Sequence, residues 1–201
     1  MIRVFFTLFF LLCCSCSRYH WGEGKKEELV FLNMPYAQGD VDGAFTAAMI
    51  RQLGESSFFQ YDPSSSFHVK VCLRESGIEH IGYRHDRTHK DLPKKSVLPT
   101  EGRERIRAEV SLIEGGSERV LLGPYIVEAE ADFDFITQND LNDLTFVNAE
   151  GMRESVLRFS MGQLEPSSSA TDAARRVVLD HLAQKIVRLM TIKWNKLDEK
   201  Q

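Results

Sequence analysis

The chain has 201 residues, of which 43% are hydrophobic and 27% charged, with a formal charge of −4. That hydrophobic share supports a packed core rather than a disordered polar chain, and the length suits one ordinary domain once a leader is set aside. The acidic balance counts against a non-specific nucleic-acid binder, which is normally basic, so no nucleic-acid partner is expected.

Residues 1–15 read as a secretory signal. Arg3 supplies a cationic start, an apolar run broken only by Thr7 extends to Leu12, and small residues follow. The run is too short for a transmembrane span, which needs roughly 20 apolar residues. The sequence LLCCSC resembles the bacterial lipobox, in which apolar and small residues precede a cysteine that receives diacylglycerol. Cys16, preceded by Ser15, is the favoured acyl acceptor, and Cys14 is its rival. Lipidation would hold the protein at a membrane through its N-terminus. Beyond a cleavage at Cys16 only Cys72 remains, so no intramolecular disulfide is expected. Ser17, in place of the aspartate that retains relatives in the inner membrane, implies the outer membrane.

Residues 16–28 form a polar linker with Tyr19 and Trp21, and residues 29–201 are expected to make a single domain. An apolar strand at 29–34 ends at Pro35. A helix follows from about 42 to 53, with Asp42 as its cap, Phe45, Ala48, Met49 and Leu53 facing the core, and Gly54 closing it. Phe67, Val69, Val71 and Leu73 alternate with polar neighbours and predict a half-buried strand. A second strand is expected near 78–84, followed by a loop over 84–102 containing Pro93 and Pro99.

The clearest pattern is a hairpin. Ile106, Ala108, Val110 and Leu112 alternate with Arg105, Arg107, Glu109 and Ser111, and EGGS at 114–117 supplies the turn. On the return, Tyr125, Val127, Ala129, Ala131, Phe133 and Phe135 alternate with Ile126, Glu128, Glu130, Asp132 and Asp134. One face is then apolar and the other charged, as in an antiparallel sheet covered on one side, with arginines of one strand near carboxylates of the other. Residues 137–169 are less regular. A final helix, with Thr171 as its cap, carries an apolar stripe of Ala174, Val177, Val178, Leu182, Ile186, Leu189 and Met190.

The expected fold class is α+β: a two-layer sandwich with two helices packed on one face of a mostly antiparallel sheet of four to five strands. A lipobox, the aromatic and glycine element CSRYHWG, this element order and the C-terminal ATDAARRVVLDHLAQKIVRLM together resemble the lipopolysaccharide-assembly lipoproteins of the LptE type. The resemblance implies an outer-membrane lipoprotein that occupies the lumen of a β-barrel partner and assists delivery of lipopolysaccharide to the cell surface. In that role, the RHDRTHKDLPKK segment offers Arg84, Arg87, Lys90, Lys94 and Lys95 to the phosphates of lipopolysaccharide.

His80, His85 and His89 straddle a strand end and a loop with no recognised ligand spacing, so no metal site is expected. Cys72 reads as a buried or edge thiol, and His181 as a helix-flank residue. The alternating Glu128, Glu130, Asp132 and Asp134 fit a solvent or partner face better than an acid/base pair. No serine elbow, glycine-rich phosphate loop or HExxH motif occurs. A non-enzymatic role without a cofactor is therefore expected.

Overall fold

The computed structural model describes residues 29–87, 93–136, 145–155 and 166–198. The chain runs β1 (Val30–Leu32), α1 (Ala44–Glu55), β2 (Phe59–Tyr61), β3 (Phe67–Arg87), β4 (Pro93–Glu114), β5 (Arg119–Asp134), β6 (Thr145–Val147), β7 (Arg153–Ser155) and α2 (Ser167–Asp198). The expected α+β sandwich is present, with both helices on one face of a mostly antiparallel sheet.

Strands β3, β4 and β5 form an antiparallel meander, while β1 and β2 pair in parallel. The two units join where the chain after β1 runs parallel to the start of β3. The Asn33 N–H donates to the Phe67 carbonyl at 2.8 Å and the Leu73 N–H to the Gln38 carbonyl at 2.9 Å. The order across the sheet is therefore β2, β1, β3, β4, β5. The small β6–β7 hairpin lies between β5 and α2 in the chain, and a parallel bridge sets Ile136 beside Pro166.

Period-two patterning explains the core. Val69 and Val71 of β3, Ile106, Ala108, Val110 and Leu112 of β4, and Leu122, Val127 and Ala129 of β5 are buried toward the helices. Helix α1 contributes Phe45, Ala48, Met49 and Leu53 at helical spacing. Helix α2 contributes Ala174, Val178, Leu182, Ile186 and Met190 from the predicted stripe, whereas Val177 is exposed. Trp194 seals the far end of α2 by edge-on contacts with Phe59 and Phe67. Arg51 of α1 pairs with Asp180 of α2.

Both helix starts differ from expectation. Helix α1 begins at Ala44, after Gly43 with φ of 77°. Asp42 accepts from the Ala44 N–H at 3.1 Å, but the buried Asp40 does more. It accepts from the Phe45 and Thr46 N–H groups at 3.3 and 2.8 Å and from the Thr46 hydroxyl at 2.6 Å. Asp40 thus satisfies amides left without partners in the first helical turn. Gly54 lies inside α1 rather than beyond it. Helix α2 starts four residues before Thr171, whose hydroxyl donates back to the Ser167 carbonyl at 2.7 Å.

The largest departure is at 84–102. Instead of two short strands and a loop, β3 runs 21 residues and β4 22, and only 88–92 separate them. Shifts in register at Leu73/Glu75, His80/Gly82, Gly82/Tyr83 and His85/Arg87 show how the ladder absorbs the irregular sequence, each a bulge or similar kink.

Candidate functional site: a basic ribbon and a charged sheet face

Strand β5 accompanies β4 only from Glu101 onward. Residues 83–87 of β3 and 93–99 of β4 continue alone as a two-stranded ribbon. An isolated hairpin is marginal in water, so this projection gains stability from being the extension of a packed sheet. It carries most of the basic residues expected to bind phosphate. Arg84 is half-buried in β3, Arg87 is that strand's last residue, Lys94 is the second residue of β4, and Lys95 is exposed. Lys90 lies outside the described residues, as do Cys16, Cys14 and the 16–28 linker. The fold thus brings Arg84, Arg87, Lys94 and Lys95 onto one ribbon.

Chain direction fixes where that ribbon stands. The chain enters the sheet at Val30, which pairs with Phe59, and passes beside Phe67 and His68 at the start of β3. The ribbon is the other end of the same strand. A 21-residue strand spans roughly 65 Å at about 3.3 Å per residue. The N-terminal entry and the basic ribbon therefore occupy opposite ends of the sheet.

The face turned away from the helices carries the expected charge ladder. Arg103, Arg105 and Arg107 of β4 stand directly opposite Asp132, Glu130 and Glu128 of β5. Arg103 makes a two-pronged contact with Asp132 at 2.6 and 2.9 Å, and Arg107 meets Glu128 at 2.8 Å. Arg105 lies 3.2 Å from Glu130 and 3.4 Å from Glu128. Hydrogen bonding to Arg107 and Arg103 lowers the pKa of Glu128 and Asp132 respectively, and the same pairing raises that of Arg103. Beside the arginines lies a shallow groove of about 370 Å³, floored by Ser76 to Glu79 of β3 and flanked by Glu128. It exists because Gly77, opposite Arg105, has no side chain to fill the space.

One charged pair sits on the helix side. Glu104 is only 1% exposed, and one carboxylate oxygen meets Arg175 of α2 at 3.2 Å. Its other oxygen has no hydrogen-bond partner among the described residues. Burial raises the Glu104 pKa, opposed by attraction to Arg175. Further along, Phe133 lies over Gly102, where even a methyl group would collide with the ring. The ring of His80 stands 5.6 Å from that of Phe135, so this histidine belongs to an aromatic cluster. His85 is exposed, and His89 is outside the described residues. No metal-ligating cluster occurs among the described residues. Cys72 is half-buried and His181 exposed. No described helix is long and apolar enough to cross a membrane.

A minor lipoprotein from Acinetobacter baumannii aligns at 16% identity over 82% of this chain and 94% of its own, with a TM-score of 0.45. A DUF330 protein from Xanthomonas campestris aligns at 10% identity over 86% and 88%, with a TM-score of 0.48. The rare lipoprotein B of Shewanella oneidensis aligns at 10% identity over 84% and 98%, with a TM-score of 0.43. No family model and no curated relative matches the chain.

Proposed function

We propose that this protein is a non-enzymatic lipoprotein, anchored in the outer membrane through Cys16, that binds a β-barrel partner and assists transport of lipopolysaccharide to the cell surface. The observation that carries the reading is the basic ribbon at the end of the sheet opposite the N-terminal entry. A lipid at Cys16 would tether one end and leave the other to meet an anionic ligand. Arg84, Arg87, Lys94 and Lys95 offer charge-assisted hydrogen bonds to lipid phosphates. The charged outer face also suits the polar interior of a barrel.

The test uses the full-length lipidated protein in detergent. Replacing Arg87, Lys94 and Lys95 together by Ala is expected to weaken lipopolysaccharide binding, with the difference shrinking as salt rises, because exposed charges are screened. Unchanged binding would remove the ribbon from the reading. Crosslinking in cells is expected to recover a barrel protein; recovery without one would refute that part. Mass spectrometry of the mature N-terminus is expected to show an acylated Cys16.

A second reading is a periplasm-facing adaptor of a cell-wall or transport complex. The paired charges of the outer face favour it, since that face is equally suited to water. It predicts a soluble partner and unaltered surface lipopolysaccharide on depletion.

A further inference from the structure

The sheet has two long edges, and they are treated differently. Strand β5 forms one. It carries Pro124, and the Lys185 ammonium of α2 donates to the edge carbonyl of Glu128 at 2.9 Å. Proline and lysine are devices by which edge strands resist pairing with other chains. The other edge belongs to β3 beyond Cys72, the last residue bridged to the segment after β1. From Glu75 to His80 it has no paired neighbour among the described residues on its outer side, and its sequence ESGIEH holds neither proline nor lysine.

Hydrogen-bonding parity shows what this edge presents. In the first half of β3, Val71 and Leu73 turn their backbone groups toward Gln38, away from β4. The register shift after Leu73 reverses that parity, so Glu75, Gly77 and Glu79 bond toward β4 while Ser76, Ile78 and His80 point outward. The Tyr83 hydroxyl, which donates to the His80 carbonyl at 3.1 Å, covers one of these groups. The amides and carbonyls of Ser76 and Ile78 remain on the open side, and Ile78 is 52% exposed.

We infer that this edge pairs with the same edge of a second copy, antiparallel about a two-fold axis at Ile78. The segment complements itself. With Ile78 opposite the partner's Ile78, each isoleucine exchanges two backbone hydrogen bonds with its copy, and Ser76 faces the partner's His80. Two exposed apolar side chains then cover each other on the helix side. On the outer face, Gly77 falls opposite the partner's Glu79. The groove above Gly77 receives that carboxylate about two strand spacings, ~10 Å, from the Arg105 backbone, within reach of a long guanidinium side chain. Each Glu79 then lies between Arg103 of its own chain, whose charge it already favours, and Arg105 of the other. Over the open stretch around Ile78 the two meanders become a six-stranded antiparallel sheet, ending where the segment after β1 covers β3 at Cys72. The pairing uses neither the basic side chains of the ribbon nor the lipid anchor, and draws on the charged outer face only through Glu79, Gly77 and Arg105.

The experiment uses full-length lipidated protein in a Cys72→Ser background. In a hydrogen-bonded antiparallel pair the two Ile78 Cα atoms would lie about 5.5 Å apart, within disulfide range. Ile78→Cys is therefore expected to oxidise to a covalent dimer in cells, whereas Ile126→Cys, exposed on the guarded strand, is not. Ile78→Pro removes the outward amide without touching the β4 ladder. It is expected to lower the dimer fraction at equal protein concentration by at least about tenfold, with circular dichroism unchanged. The inference is overturned if Ile78→Cys gives no homodimer in folded protein, if it crosslinks only to a different protein, or if Ile126→Cys crosslinks equally. Should Ile78→Pro fail to fold, the cysteine pair alone decides.

Discussion

Arg175→Met isolates the energetic role of the charge pair that joins the buried Glu104 to helix α2. Unit charges 3.2 Å apart in a medium of effective dielectric about 20 attract by about 5 kcal/mol. The arginine side chain is 38% exposed, so solvent screens a large part of that attraction. Removing it also strands a carboxylate that is 1% exposed and whose second oxygen has no partner among the described residues. Breaking such a pair from one side typically costs about 3–5 kcal/mol when both members are buried; for this half-exposed arginine about 2–3 kcal/mol is expected. In a domain of this size that lowers Tm by about 5–10 °C. The pH dependence carries a sign. Glu104 has a pKa raised by burial, and it rises further without Arg175. Burial disfavours its charged form, so this part of the stability is present below the unfolded pKa and lost as pH rises through the folded one. The loss in Arg175→Met should therefore be larger at pH 8 than at pH 5. Glu104→Gln in the same background should recover most of it. Thermal denaturation of the unsubstituted protein and these two variants in detergent at both pH values measures this, and a loss below about 0.5 kcal/mol at pH 8, or one independent of pH, would refute the reasoning.

Asp40→Ala removes three hydrogen bonds from the start of α1 and should lower stability by about 2 kcal/mol, read as a shift in urea midpoint with unchanged slope. Asp42→Ala, at an exposed position with one such contact, should cost less than half as much. Glu128 and Asp132 should titrate below the ordinary carboxylate range in nuclear magnetic resonance spectra. Their contribution to stability is present above the unfolded pKa and lost as pH falls through the folded one. Arg107→Ala and Arg103→Ala should return the respective carboxyl toward its ordinary value.

The hairpin was legible because alternation needs only one strand at a time. The run from Ile106 to Leu112 declares its buried side, and Glu128, Glu130 and Asp132 were set opposite arginines by the turn at 114–117. The same parity held an unused signal. Glu104 occupies the inward series that continues through Ile106 and Ala108, and a carboxylate there requires a cation from the covering layer. Which cation was not readable, because Arg175 is 71 positions away in the chain. The region 84–102 was opaque for another reason. Prolines at 93 and 99 and mixed polarity suggest a loop, yet β3 and β4 support each other across register shifts that no single strand reveals. The sequence points to Asp42 rather than Asp40 because the nearer residue is the customary cap; the turn around Gly43 lets the more distant one reach the helix start instead. The clustering of the residues expected to bind phosphate is readable from their spacing, while their place opposite the N-terminal entry depends on chain direction within the sheet.

The bridge between Ile136 and Pro166 means that the polypeptide leaves the last long strand and re-enters the final helix through a single doorway. An excursion whose two ends are already clasped burdens the remainder of the molecule very little as it grows, since loop entropy increases only by about 0.6 kcal/mol for each doubling of length. Insertions or deletions in that stretch should therefore leave the layers beneath in their arrangement, giving the architecture a replaceable part at the boundary of an unaltered frame.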